Sequence, residues 1–333
     1  MKVAINGFGR IGRTVFRLLL ERQGVEVVAI NDITDDEALA YLLRHDTVMG
    51  DLPGKAVIED GHLVTDRWQT RMTAVRNPAE LPWKELGVDF VVESTGVFRA
   101  RDQISLHLEA GARKVLLTVP AKDEIDATVV IGVNNETLKP EHRIVSNASC
   151  TTNCLAPLCY VLDKEFGIEN GLMTTTHAYT GDQRLIDTPH SDWRRARAAA
   201  ENIIPTSTGA AKAIGQVLPS LSGKLGGMAL RVPVPCGSVV DLATRMKKNV
   251  TADEVNAALK AASESARLRG IIGYAIDPLV SSDVVGTSFS SYFDPDCTMV
   301  VDGNMLKTIS WYDNEYGYSN RVCDLLQMME DVG

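Results

Sequence analysis

Val3-Ala4-Ile5-Asn6-Gly7-Phe8-Gly9-Arg10-Ile11-Gly12 is an apolar strand that runs into three glycines spaced G-x-G-x-x-G and then into a helical stretch at 14–21. In that context each glycine answers a physical need. The first allows a tight turn, the second lets backbone approach a pyrophosphate, and the third lets helix and sheet pack closely. Asp32 stands 20 residues after Gly12, at the end of a second apolar strand at 25–30. A carboxylate there binds the ribose hydroxyls of NAD and repels a ribose 2′-phosphate, which favours NAD over NADP. The stretch therefore predicts a Rossmann dinucleotide-binding domain.

Working outward, short β-branched runs at 88–93, 114–119 and 128–133 alternate with helical stretches, which is the pattern of a parallel sheet flanked by helices. Runs such as Phe90-Val91-Val92 are apolar throughout, as suits strands buried on both faces. The pattern changes around 146–150. A helix from Thr151 to about Glu165 is followed by strands at 172–177, 228–233, 239–247 and 307–312. A further helix at 251–265 carries Thr251 as N-cap and Glu254 to complete a capping box. The second half thus reads as an α+β catalytic domain on a mixed, mostly antiparallel sheet. The expected division is 1–149 for the dinucleotide domain and 150–314 for the catalytic domain, with a C-terminal helix at 315–333 packing back on the first. Residues 178–197 form a polar connection much longer than usual, and loops of that length tend to be functional.

Composition narrows the function. With 333 residues, 45% hydrophobic and 23% charged, the chain has the make-up of a soluble enzyme, and no apolar run approaches a membrane span. Met1-Lys2-Val3-Ala4-Ile5 leads into the first strand at once, without a basic-then-apolar leader, so a cytoplasmic location is expected. A net charge of −9 argues against nucleic acid as a main partner and against an anionic membrane. The six cysteines, at 150, 154, 159, 236, 297 and 323, are expected to be reduced and are read singly.

Cys150 lies in Ser149-Cys150-Thr151-Thr152-Asn153-Cys154, where a helix starts directly after a strand end. The free amides and dipole of a helix N-terminus favour thiolate over thiol, so Cys150 is the candidate nucleophile. His177 ends the strand 172–177, and an imidazole beside a thiol can take and return its proton. Cys154, one turn on, reads as buried packing. Metal binding by Cys150, Cys154 and His177 matches no structural zinc spacing, and no metal is expected. Ser149, Thr151, Thr180, Arg184, Arg195, Thr206, Ser207, Thr208, Gly209 and Arg231 together can donate charge-assisted hydrogen bonds to phosphate oxygens.

These blocks, with Ser94-Thr95-Gly96-Val97-Phe98, Thr206-Ser207-Thr208-Gly209-Ala210-Ala211-Lys212 and Trp311-Tyr312-Asp313-Asn314-Glu315-Tyr316-Gly317-Tyr318, resemble the glyceraldehyde-3-phosphate dehydrogenase family over residues 3–326. The resemblance implies phosphorylating oxidation of glyceraldehyde 3-phosphate with NAD, Cys150 as nucleophile and His177 as base. It implies that Gly7, Gly9, Arg10, Ile11, Gly12, Asp32, Arg76, Thr95, Gly96 and Thr118 contact the dinucleotide, that Asn314 orients the nicotinamide carboxamide, and that Tyr318 packs nearby. Thr180 and Arg231 would hold the substrate's phosphate, and Ser149, Thr151, Arg195, Thr208 and Gly209 the attacking inorganic phosphate. It further implies a homotetramer in which 178–197 reaches a neighbouring subunit.

Four places depart from the family pattern. Gly181 replaces a common asparagine, Thr188 a common leucine, Cys236-Gly237 a common asparagine-valine, and Trp68 to Thr70 a usual glycine turn. Erythrose-4-phosphate dehydrogenase, which hydrolyses its thioester, and an NAD-binding redox-sensing or regulatory protein are the competing readings.

Overall fold

The computed structural model describes residues 1–333. They divide into two compact units, one of Met1–Val129, Glu136–Ala148 and Ser319–Gly333, the other of Val130–Asn135 and Ser149–Tyr318.

The first unit contains β1 (Lys2–Asn6), α1 (Arg10–Glu21), β2 (Glu26–Asn31), α2 (Asp36–Arg44), β3 (Ala56–Glu59), β4 (His62–Thr65), β5 (Gln69–Thr73), α3 (Trp83–Leu86), β6 (Phe90–Glu93), α4 (Arg101–Glu109), β7 (Lys114–Leu117), β8 (Ala127–Thr128) and β9 (Ile144–Ser146). The sheet order is β3-β4-β5-β2-β1-β6-β7-β9-β8. At its centre β1 pairs in parallel with β2 on one side and β6 on the other. The connections after β1 and β6 therefore leave in opposite directions, opening a crevice at the carboxyl ends of the strands. Val3, Ala4 and Ile5 have no exposed surface, and Trp83, Val91, Ile104 and Val115 form the core packed on the sheet. Full burial of each aliphatic side chain is worth roughly 1.5–3 kcal/mol, enough to hold the strand register.

One local feature was not foreseen in the sequence and one expected strand is cut short. Residues 56–73 form an antiparallel meander on the sheet edge, joined at Asp60-Gly61, where both residues have positive φ as a two-residue hairpin turn requires. Trp68 is buried there, edge-on to Phe16 at 5.7 Å. The expected strand at 128–133 stops at Thr128. Asn134 accepts the Val130 amide and Gly132 takes φ +86°, so the chain turns instead.

The second unit contains α5 (Cys150–Phe166), β10 (Ile168–Ala178), β11 (Ile204–Ser207), α6 (Ala210–Val217), β12 (Leu225–Val232), β13 (Ser238–Met246), α7 (Ala252–Glu264), β14 (Ile272–Tyr274), β15 (Ser291–Val301) and β16 (Met305–Tyr312). Its sheet runs β11-β12-β10-β13-β16-β15-β14. β10 pairs in parallel with β12 and antiparallel with β13, and most other pairings are antiparallel. Thr251 and Glu254 make the expected reciprocal cap on α7. The final helix, α8 (Tyr316–Val332), is capped by Asp313, which accepts the Glu315 and Tyr316 amides. Its apolar Val322, Leu325, Leu326 and Met329 are fully buried. No helix is long and apolar enough to cross a membrane.

Candidate active site

In the first unit the glycine turn is built as its sequence requires. Gly7 has φ +92°, and a Cβ there would stand 2.7 Å from the Thr95 nitrogen. A Cβ on Gly12 would stand 2.2 Å from the Gly7 carbonyl oxygen, whereas nothing lies within 4 Å of one on Gly9. Gly9 caps α1 with no side-chain hydrogen bond, and no acidic residue lies in the first turn, so no carboxylate of the helix competes with an anion at its N-terminus. A cavity of about 340 Å³ brings Gly7, Gly9, Asp32, Arg76 and Thr95 together. An open glycine, an uncapped helix end and a carboxylate around one cavity fit a dinucleotide.

Several of the expected cofactor contacts are already engaged within the protein. Asp32 accepts the amides of Phe8 at 2.7 Å and Thr34 at 3.0 Å, so it also holds the glycine turn. Arg10 pairs with Asp46 at 2.6 Å. The Thr118 hydroxyl donates to the Glu93 carbonyl at 3.2 Å. Ile11 is half-buried in the first turn of α1, and Gly96 is exposed with φ +70°.

In the second unit Cys150 is the first residue of α5, with Ser149 as N-cap accepting the Thr152 amide. Its Sγ lies 3.5 Å from His177 Nε2. Parallel pairing of β10 and β12 sets His177 directly beside Arg231. His177 Nδ1 lies 2.7 Å from the Ala178 carbonyl oxygen and 2.7 Å from Arg231 Nη1. A carbonyl only accepts and a guanidinium only donates, so these contacts ask opposite things of Nδ1. With the proton on Nδ1, Nε2 offers a lone pair to the thiol; with the proton on Nε2, its N–H points at sulfur.

The electrostatics select a neutral imidazole. Burial and then the Arg231 charge hold His177 down at about 3, far below the ordinary histidine value. Burial pushes the Cys150 thiol up, against the Arg231 charge and the Thr151 hydroxyl and amide, which favour the thiolate. Desolvation thus opposes the thiolate preference expected at the helix start, and His177 is held neutral beside the sulfur. Cys154 is fully buried, and desolvation pushes its thiol to about 12.

Sequence reasoning attached no role to Tyr312. Its fully buried ring meets His177 edge-on at 5.8 Å, and its hydroxyl joins Thr151 at 2.9 Å to Thr175 at 2.8 Å. The signal was its place in the Trp311-Tyr312-Asp313-Asn314 block. Asn314 Oδ1 accepts both the Gly237 amide at 3.2 Å and the Ser238 hydroxyl at 2.9 Å, and two donors on one atom identify it as oxygen. Cys236 donates to Asp313 at 3.3 Å, so the unusual Cys236-Gly237 pair braces the Asp313-Asn314 corner. Tyr318 is buried.

The phosphate candidates separate into groups. Asp182 joins Thr180 and Arg195, accepting from both. Despite burial, the Thr180 hydroxyl and the Arg195 and Arg231 charges hold its carboxyl below the usual range. Ser149 and Thr151 flank Cys150 in the first turn of α5. Thr208 and Gly209 lie where β11 passes into α6, with the Thr208 hydroxyl accepting the Ala210 amide. Arg184 instead donates to the Pro189 carbonyl.

Residues 1–101 match the family model described as glyceraldehyde 3-phosphate dehydrogenase, NAD binding domain, and residues 149–314 match the model for the C-terminal domain of the same family. The chain is 57% identical over 335 residues to the glyceraldehyde-3-phosphate dehydrogenase of Borreliella burgdorferi, covering 99% of each. It is 55% identical to that of Geobacillus stearothermophilus, covering 100% of this chain and 99% of the relative. Identity to that of Thermotoga maritima is 57%, covering 98% of each.

Proposed function

The chain belongs to the glyceraldehyde-3-phosphate dehydrogenase family, and on that premise we propose that it oxidises glyceraldehyde 3-phosphate to 1,3-bisphosphoglycerate with NAD and inorganic phosphate. The observation that carries the reading is the 3.5 Å approach of Cys150 Sγ to His177 Nε2 at the start of α5.

A neutral His177 accepts the thiol proton while Sγ bonds to the aldehyde carbon, and returns it to the former carbonyl oxygen, giving a hemithioacetal. NAD, when bound, supplies the acceptor for the hydride that leaves that carbon. His177 takes the hydroxyl proton at that stage, and a thioester remains on Cys150. Inorganic phosphate then attacks the thioester carbon, the C–S bond breaks, and imidazolium returns its proton to sulfur. Proton transfer of this sort contributes about 10²–10⁴-fold.

Thr180 and Arg231 hold the substrate's phosphate in this reading, and Ser149, Thr151, Arg195, Thr208 and Gly209 the inorganic phosphate. Phosphate oxygens beside Arg231 offset the positive charge that depresses His177, so a bound substrate raises the basicity of its own base. Gly7, Gly9, Arg10, Ile11, Gly12, Asp32, Arg76, Thr95, Gly96 and Thr118 form the dinucleotide site, with Asn314 and Tyr318 serving the nicotinamide. The division of labour follows 1–149 with the C-terminal helix against 150–314. Exposed Leu185, Ile186 and Trp193 in the long connection support a contact with a neighbouring subunit, as in a homotetramer.

The test is NADH formation from glyceraldehyde 3-phosphate with and without phosphate or arsenate. Formation that needs either oxyanion supports acyl transfer. Formation independent of both points to a thioester hydrolase, and no absorbance change defeats the enzymatic reading.

A further inference from the structure

A buried polar chain lies behind the dinucleotide cavity, centred on Glu93 and His107, which none of the quoted motifs contains. Glu93 ends β6 with 1% of its surface exposed. Its Oε2 accepts from Asn6 Nδ2 at 2.6 Å and lies 3.0 Å from His107 Nε2. Its Oε1 accepts the Thr95 amide at 2.9 Å and the Thr95 hydroxyl at 2.5 Å. Asn6 in turn accepts from Asn31 at 2.7 Å, and Asn31 brackets Val75 by accepting its amide and donating to its carbonyl. Asn6, Asn31, Val75 and Thr95 all line the cavity, whereas Glu93 and His107 do not. The carboxylate thus ties together side chains that shape the site without entering it.

His107 is fully buried on α4, and its Nδ1 accepts from Trp83 Nε1 at 3.0 Å. An indole N–H can only donate, so Nδ1 carries a lone pair and the ring proton sits on Nε2, aimed at Glu93. A proton on Nδ1 would oppose two N–H groups in a buried space. Thr95 packs directly against the glycine turn, its nitrogen 2.7 Å from where a Gly7 Cβ would be. Any drift of Thr95 alters the wall against which the glycine turn is packed.

We propose that Glu93 and His107 are positioning residues for dinucleotide binding: the carboxylate clamps Thr95 and Asn6, and His107, held in one tautomer by Trp83, aims and satisfies the carboxylate. The proposal rests on the assignment of this cavity to NAD. Replacing Glu93 by glutamine keeps an acceptor for Thr95 but turns an N–H₂ toward the Asn6 and His107 donors. Calorimetry on Glu93→Gln is expected to show NAD binding weakened about tenfold. Adding Trp83→Phe frees the His107 proton to move to Nδ1, so that Nε2 can accept from the new amide, and part of the lost affinity returns. ¹⁵N NMR of the unaltered protein is expected to show His107 as the neutral Nε2–H form.

Unchanged NAD affinity in Glu93→Gln with only a lower Tm overturns the proposal, as does a double variant no better than the single. An Nδ1–H or doubly protonated His107 overturns it even if Glu93→Gln does not fold. Unaltered protein that binds no NAD defeats the cofactor assignment and the proposal with it, while the tautomer still reports on the Trp83 contact.

Discussion

Two buried histidines, one in each unit, show how the same side chain is made inert or reactive. His107 has both ring nitrogens assigned, one taking the Trp83 indole proton and the other giving its own to Glu93. His177 has Nδ1 contested between the Ala178 carbonyl and the Arg231 guanidinium, while Nε2 faces a thiol at 3.5 Å. Burial alone therefore says little about function. What separates the two is whether the partners specify one tautomer or make opposing demands on the same nitrogen. In the first unit polar groups are paired into a fixed wall of the cavity beside the glycine turn. In the second a guanidinium, an imidazole and a thiol are packed together, and the Asp182 carboxylate acts on the imidazole through its charge rather than through a hydrogen bond.

The sharpest test removes what the unsettled nitrogen faces. Cys150→Ser is expected to lower turnover by about 10⁴-fold or more, because a hydroxyl is a far weaker nucleophile beside a base this weak. NAD binding by calorimetry should persist. Near-normal turnover would mean that the nucleophile is misassigned and that the two histidines do not differ in kind.

His177→Asn keeps a polar side chain but removes the base. Turnover should fall by about 10²–10⁴-fold, less than on loss of the thiol, since attack on the aldehyde can still proceed with water taking the proton. The reading is single-turnover NADH formation at saturating substrate. A loss confined to KM would instead make His177 a binding residue.

How much of this was legible follows from which features are local. The glycine turn, the Thr251–Glu254 cap and the start of α5 at Cys150 all depend on neighbours within a few residues, and the structure shows each where the sequence points. The meander at 56–73 carried an equally local signal, Asp60-Gly61 between β-branched runs, and its register was there to be read. The expected strand at 128–133 failed because Asn134 and Gly132 give the backbone a better local alternative. The contact between His177 and Arg231 has no local signal. It arises because β10 and β12 lie side by side in parallel, 54 residues apart in the chain, and that pairing depends on the whole sheet. Tyr312 is similar, since its links to Thr151 and Thr175 exist only once β16, β10 and α5 have met. The charge balance of the site is only half legible for a related reason. Helix-end electrostatics can be read from sequence, while the desolvation that opposes them is a property of the packed unit.

The smallest effect expected is also the one that measures desolvation directly. His177 is held at about 3 in the folded protein, against about 6.5 for an ordinary histidine in the unfolded chain. Between those values the unfolded chain binds a proton that the folded protein refuses. The contribution is fully present above about pH 6.5 and is lost as pH falls toward 3, at about 1.4 kcal/mol per pH unit for one such group. In urea denaturation the parent protein should therefore lose stability more steeply than His177→Asn as pH drops from about 6.5 to 5, by about 1.6 kcal/mol over that interval. Adding a phosphate-bearing substrate analogue to the parent should flatten the slope, because phosphate beside Arg231 raises His177 toward its ordinary value. Equal slopes in parent and variant would show that the imidazole is not held neutral by its surroundings, and the contrast with His107 would then have to rest on geometry alone.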